Sequence, residues 1–235
     1  MSNYPPPTTE PAKSNVPPHY TLTSLSLTHV QFNQGDIISK LLAYITLSPL
    51  AILCGYVSVT LTRRELTPAV MLIGQLLNEC INLVLKRIVK QARPTEVLGD
   101  GYGMPSSHSQ FMAYFATYTI LLMYKRGAPA GAVVPHVVSI LVVVWAALVI
   151  YSRVHLYYHT WQQVVAGTVC GMMFGAAWFS FVNHYLRPRG YLDAILDTPL
   201  CQWAYVRDTE YMPDSYRREW ELWREWRKTN NGKSD

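Results

Sequence analysis

Five residues set the chemistry open to this sequence. Lys86 is followed seven positions later by Arg93, His108 closes the run Met104-Pro105-Ser106-Ser107-His108, and Arg153 precedes His159 by six. If these segments meet in space, three fixed cations and two titratable imidazoles face one another. Three cations suit the spread charge of a phosphoryl group, and two imidazoles suit a nucleophile and a general acid. Ser106 or Ser107 can cap the apolar helix that follows, and the free N–H groups of a helix start form an anion site, so His108 stands where a bound anion would meet it. Glu79, Lys86 and Arg93 are spaced by seven, two helical turns, and share one stripe if the helix persists that far. Taken alone, Lys86 and Arg93 would also suit helix-end bases whose stems snorkel along apolar surface.

The elements that must position these groups are apolar. Half of the 235 residues are hydrophobic and 15% are charged, against the roughly 25% charged of a soluble domain. Between Gly101 and Arg153 the only charges are Lys125 and Arg126, and from Val154 to Leu186 there are none. Apolar runs cover about Leu41 to Leu61, Pro68 to Leu85, Phe111 to Tyr124, Val133 to Tyr151 and Val164 to Val182. Each approaches the ~20 residues of a bilayer crossing once flanks are included. The expected fold is therefore all-α, a polytopic membrane helical bundle of about five transmembrane helices. With five crossings, the loops 87–108 and 152–159 share one face of the membrane. Residues 62–65, 125–131 and everything after Arg187 lie on the other. The positive-inside rule assigns that second face, with Arg63, Arg64, Lys125, Arg126, Arg187 and Arg189, to the cytosol, provided the bases of the first face are functional rather than topological.

The net charge of +5 resides wholly in residues 36–186, with ten bases against five acids. An anionic small ligand or lipid headgroup fits that excess. Nucleic acid does not, because there is no basic soluble module interleaved with aromatics. Residues 1–35 are expected to be a flexible tail rich in Pro, Ser and Thr, with Leu22 to Phe32 as a short strand or interfacial segment. Residues 36–186 form the membrane domain and 187–235 a charged, Trp-rich C-terminal tail. Within that tail, Tyr211 to Lys228 reads as an aromatic, charged helix, suited either to the membrane surface or to packing on its own protein. Cys54, Cys80, Cys170 and Cys201 form no CxxC pair and suggest neither a disulfide framework nor a zinc site.

Lys86, six residues, Arg93-Pro94; Pro105-Ser106-Ser107-His108; and Ser152-Arg153, five residues, His159 together resemble the three-part signature of the type 2 phosphatidic acid phosphatase superfamily, which includes vanadium haloperoxidases. Leu77-Asn78-Glu79, the run Tyr102 to Met112 and His159-Thr160-Trp161 resemble its dolichyldiphosphatase branch. The resemblance implies a haloperoxidase-like core and a reaction without metal or other cofactor. His159 would be the nucleophile that becomes phosphohistidine, and His108 would protonate the leaving group. Lys86, Arg93, Arg153, Ser106, Ser107 and nearby backbone amides would hold the phosphate. The implied substrate is dolichyl diphosphate, and the implied setting is the endoplasmic reticulum membrane, with the site facing the lumen and the tail in the cytosol. A broader lipid phosphatase, a transporter and an inactive scaffold are the other readings.

Two positions depart from the superfamily pattern. Ser107 replaces a glycine, which crowds an anion nest slightly but adds a hydroxyl. Gln163 replaces an aspartate four residues after the nucleophile. Its carbonyl can still accept from the imidazole N–H and fix the tautomer, but it brings no charge. Glu79 is a candidate for the compensating carboxylate, and pairing with Lys86 along its own helix is the alternative. Among the other histidines, His155 is closest to the motif, whose spacing favours His159. Tyr151, Tyr157 and Tyr158 read as membrane-interface aromatics.

Overall fold

The computed structural model describes residues 22–24, 30–33, 35–95, 101–125, 133–210, 212 and 215–231. The N-terminal tract before residue 22, His29, Glu96, Asp100 and Arg126 lie outside them. Two three-residue strands, β1 (Leu22–Ser24) and β2 (Gln31–Asn33), pair antiparallel. Nine α-helices follow among the described residues: α1 (Ile37–Ile45), α2 (Ser48–Arg63), α3 (Leu66–Val89), α4 (Ser107–Lys125), α5 (Val133–His155), α6 (Trp161–Phe181), α7 (Tyr191–Leu196), α8 (Pro199–Trp203) and α9 (Ser215–Asn231). A π-helical turn, Val182–Leu186, prolongs α6.

Among the described residues, four stretches are long and apolar enough to cross a membrane: Ile37–Arg63, which joins α1 and α2, then Leu66–Val89, Val133–His155 and Trp161–Leu186. The sequence predicts about five crossings, and the difference is α4. Its first turn, Ser107 to Gln110, lowers its apolarity, and it contacts α2, α3, α5 and α6 at the centre of the bundle. It needs no lipid-facing stripe because protein surrounds it: Met112, Tyr114 and Tyr118 are fully buried. By contrast, α5 leaves Val137, Ile140, Leu141, Val143 and Val144 exposed, an outward apolar surface that suits lipid.

Two breaks in helical regularity shape the site end of the bundle. Pro49, near the start of α2, brings no N–H to the Ile45 carbonyl four residues back, so α1 and α2 part at Thr46 and Leu47. The Ser48 hydroxyl takes that carbonyl instead, at 2.5 Å. The second break is the end of α3: Lys90 adopts left-handed φ of 51°, and Arg93, preceding Pro94, is biased away from helix. Helix therefore does not persist to Arg93, and the predicted stripe of Glu79, Lys86 and Arg93 is broken after Lys86.

Polar contacts and close backbones lock α3, α4 and α6 together. Asn82 Nδ2 donates to Gln110 Oε1 (2.8 Å) and Pro105 O (3.3 Å). Gln110 Nε2 donates to both Asn78 oxygens at 2.9 Å. All three amides are fully buried, so truncating one leaves partners unsatisfied at about 1–3 kcal/mol each. On α6, Gly167 and Gly171 let α4 approach: a Cβ on Gly171 would lie 2.2 Å from Gln110 O, whereas one on Gly55 would meet nothing within 4 Å.

At the end of the bundle opposite the two motif-bearing loops, the tail is bonded in place. Leu66 N donates to Arg207 O and Arg207 N to Arg64 O, at 2.9 and 2.8 Å. Glu210 accepts from Lys125 at 2.6 Å and from Arg187, which also donates to Asp208. Gly171→Val should lower thermal stability in detergent by about 1–3 kcal/mol through overpacking against α4, while Gly55→Ala leaves it unchanged; equal melting temperatures for the two variants would contradict this packing.

Candidate active site

The three signature segments converge at one end of the bundle. Lys86 stands in the last turn of α3, Arg93 in the irregular segment beyond it, His108 in the first turn of α4, Arg153 in the last turn of α5, and His159 in the tight connection from α5 to α6. His108 interacts electrostatically with Arg153, His159, Lys86 and Arg93, and His159 with Arg153, Arg93 and Lys86. All five residues predicted from the sequence are therefore brought together.

The connection between α5 and α6 is folded by its own backbone. Tyr157 takes a left-handed φ of 59°, and Tyr158 N and His159 N both donate to Arg153 O at 3.1 Å. This tight turn sends His155 and His159 in different directions. His155 Nε2 meets Ser39 Oγ at 3.2 Å and lies 3.8 Å from Asp36, the N-cap of α1. His159 turns inward and is 3% exposed.

Arg153 is equally buried, and its partners are uncharged. Nη1 donates to Thr46 Oγ1 at 2.9 Å, the residue exposed by the α1–α2 break, and the guanidinium lies 4.1 Å from the centre of the Tyr158 ring. Tyr158 is thus a buried platform under a site cation, not the interface aromatic its sequence context suggests. Its hydroxyl accepts from Gln31 N at 2.8 Å, so β2, in the segment read from sequence as a tail, braces the platform. The Nε atoms of Arg93 and Arg153 are buried without a hydrogen-bond partner, the condition of cations arranged to meet an anion. Ser106, fully buried, donates its N–H to Gln163 O (3.0 Å) and accepts at its hydroxyl from Ser109 (3.1 Å), while its carbonyl opens α4 by accepting from Gln110 N. The first-turn N–H groups that follow, beginning with Ser107, are the orphan donors of a helix start.

Gln163 links all three segments. Its Oε1 sits 3.1 Å from His159 Nδ1 and accepts from Thr160 N at 3.3 Å, and its Nε2 donates to Ala92 O at 2.8 Å and Gln91 Oε1 at 3.3 Å. Both amide ends are thereby assigned. With Nε2 committed to two acceptors, Oε1 must face the imidazole, so His159 carries its proton on Nδ1 and presents Nε2 to the cation cluster. Gly103 closes the slot, since a Cβ there would lie 2.7 Å from the Gln163 side chain. Burial first, then repulsion from Arg153, Arg93 and Lys86, holds the His159 pKa down to about 3, against an opposing contribution from Gln163. Glu79 interacts with Lys86 on its own helix, which favours the pairing alternative over a role beside His159. Sequence reasoning did not single out Thr46, Gln91, Ala92 or Gln110. A Thr ahead of a Ser-Pro break was the one available signal, for Thr46.

An apolar cavity of about 360 Å³ lies between α3 and α6, lined by Leu77, Ile81, Leu85, Phe174 and Trp178 among others. A polar anion cradle at the mouth of a lipid-facing bundle defines a class of protein: a membrane-embedded phosphoryl-transfer enzyme. The chain belongs to the PAP2 superfamily, which matches residues 68–187, and is a phosphatase. It is 38% identical over 200 residues to dolichyldiphosphatase 1 of Homo sapiens and over 198 residues to that of Dictyostelium discoideum. The human comparison covers 81% of this chain and 83% of that one, the Dictyostelium comparison 82% and 86%. It is 40% identical over 221 residues to lipid phosphate phosphatase gamma of Arabidopsis thaliana, covering 91% of this chain and 97% of the relative. No solved structure matches the chain. Ring-nitrogen NMR of His159 should show a neutral imidazole through the neutral range with a midpoint near 3; titration near the ordinary 6.5 would contradict the buried, cation-ringed placement.

Proposed function

We propose that this protein removes the terminal phosphate of dolichyl diphosphate, giving dolichyl phosphate and inorganic phosphate through a phosphohistidine intermediate. The observation that carries the reading is the neutral, Gln163-oriented His159 facing Lys86, Arg93, Arg153 and His108. The His159 Nε2 lone pair attacks the terminal phosphorus while the bond to the bridging oxygen breaks. The three cations, Ser106, Ser107 and the amides of the first turn of α4 take up the charge on the transferring group. The negative charge of the bound diphosphate offsets the cations around His108 and lets it take up a proton, which it gives to the departing dolichyl phosphate before accepting one from the water that hydrolyses the phosphohistidine. Gln163 fixes the tautomer and opposes the lowering of the His159 pKa only in part, so burial and the three cations still hold the imidazole neutral.

The lipid half of the reading rests on the apolar cavity between α3 and α6, whose α3 lining runs up to Leu85, the residue before Lys86, and on the dolichyldiphosphatase relatives. The apolar lining accepts the start of a polyprenyl chain, leaving the diphosphate at the cation cluster. In this reading the enzyme lies in the endoplasmic reticulum membrane with its site towards the lumen, and it returns the glycan carrier lipid to use in protein N-glycosylation. The similarity to lipid phosphate phosphatase gamma supports a second reading, a broader lipid phosphatase with the same machinery.

The test is phosphate release by purified protein in detergent with excess chelator, offering dolichyl diphosphate and phosphatidic acid in competition. Wild type is expected to prefer the dolichyl lipid and to yield acid-labile labelled histidine on quenching. His159→Ala should abolish turnover, and His108→Ala should lower kcat by about 10²–10⁴. Preference for phosphatidic acid would shift the substrate to the second reading, and full turnover by His159→Ala would overturn the mechanism.

A further inference from the structure

The C-terminal helix α9 combines three of the chain's seven tryptophans with a place at the end of the bundle opposite the candidate active site. At about 100° per residue, Leu222, Trp226, Glu219, Trp223 and Trp220 share an arc of about 160°. Arg217, Arg218, Glu221, Glu225 and Lys228 occupy the other side. Leu222 is 66% exposed, Trp226 64%, Trp220 51% and Trp223 48%. Arg63 and Arg207 reach this arc at Glu219, while its four apolar side chains stay about half or more exposed.

Its direction is set by its one acid. Glu219 accepts from Arg63 Nη2 at 2.7 Å and from Arg207 Nη2 at 2.8 Å. Arg63 is the last residue of α2, where that helix leaves the apolar span. Arg207 is bonded through its backbone to Arg64 and Leu66, and through its side chain to Glu65, at the start of α3. The bonds that hold α9 thus lie on the aromatic side of the helix and draw that side towards the level at which the transmembrane helices end. They also neutralise the only negative charge on the arc. Arg224, at the edge of the arc, lies over Trp220, and Arg227, within the arc between Trp223 and Trp220, lies over Trp223, at 4.9 and 5.5 Å from the ring centres, so cationic groups stand beside the indoles. Other exposed aromatics continue the same end: Trp203 and Tyr205, the latter beneath Arg64 at 5.7 Å.

We propose that α9 lies in the membrane–water interface of the leaflet opposite the candidate active site. Its indole arc enters the headgroup region and the arginines beside the indoles meet lipid phosphates. A large separation of apolar and charged faces, low overall apolarity, and Trp on one side with Arg and Lys beside it are the marks of a helix that lies on a bilayer. Indoles favour that depth because an apolar ring and an N–H donor are both satisfied there. Water alone would leave three indoles half uncovered for no gain. A protein partner is the competing occupant, but Arg63 fixes α9 to the boundary of the spans, where lipid is already present. The proposal is independent of the substrate reading, because it concerns the other face of the membrane.

The test uses the full chain in vesicles of phosphatidylcholine and phosphatidylserine, with and without bromine on the acyl chains. The tryptophan emission of wild type minus that of W220S/W223S/W226S isolates the three tail indoles, and phosphatase turnover by the variant checks that it is folded. The difference signal is expected to lose most of its intensity in brominated vesicles and to resist aqueous iodide. Quenching by iodide with none by bromine would put the arc in water, and resistance to both would put protein over it; either overturns the proposal. A second measurement needs no variant: trypsin should reach Arg224 and Arg227 of outward-facing protein several-fold more slowly in vesicles with phosphatidylserine than in phosphatidylcholine alone. Equal rates would remove the lipid-phosphate contact.

Discussion

Mutual repulsion among Lys86, Arg93 and Arg153 is the constraint around which this end of the molecule is arranged. Three like charges beside two imidazoles, at the rim of an apolar bundle, repel one another more strongly than they would in water. Among the described residues, no carboxylate forms an ion pair with them at contact distance. Arg153 has a threonine hydroxyl and an aromatic face, and Arg93 and Arg153 each retain a buried Nε without a partner. A phosphoryl group answers all of these at once, so the energy that holds the cations together is released when the anion binds and the transition state forms. The same repulsion, added to burial, keeps His159 neutral.

Holding such a cluster requires rigid neighbours, and α4 supplies them. Entered through Ser106, its first turn carries Ser107 and His108, and two residues further on Gln110 joins a fully buried amide network with Asn78 and Asn82 of α3. Glycines on α6 bring the third helix to backbone contact. Lys86 and His108 are therefore spaced by amide hydrogen bonds rather than by charge, which is the only workable arrangement when the charges involved repel. A half-satisfied polar network would be worse than none in an apolar interior, so the three amides stand or fall together.

The other end solves an opposite problem. Lys125 and Arg187 look in the sequence like bases that fix orientation in the membrane, yet each meets a carboxylate of the segment Asp208 to Glu210, and Arg207 meets Glu65. Glu210 is nearly fully buried between Lys125 and Arg187. An ion network of this kind adds less stability than its charge count suggests, because desolvation offsets attraction. It does give the tail one docking position, and α9 follows from it.

Much was legible in the residues themselves. Spacing within each signature segment was enough to nominate Lys86, Arg93, His108, Arg153 and His159, because a phosphate site needs fixed cations and an oriented imidazole whatever the fold. Apolar run lengths located the membrane helices, since bilayer thickness sets that length from outside. The sequence could not say which polar residues touch across helices. Thr46 became a ligand of Arg153 only because Pro49 breaks α1 from α2, and Tyr158 became a platform only because Tyr157 turns the chain. Gln163 looked like a weakened aspartate until Ala92 and Gln91 were seen to need a donor, which a carboxylate lacks. Helix periodicity carried the stripe of Glu79 and Lys86 one step too far, because the restriction imposed by Pro94 and the left-handed Lys90 end α3 before Arg93. Local spacing is determined by covalent connectivity and can be read along the chain. Hydrogen-bond partners between helices depend on packing distances that only the assembled bundle sets.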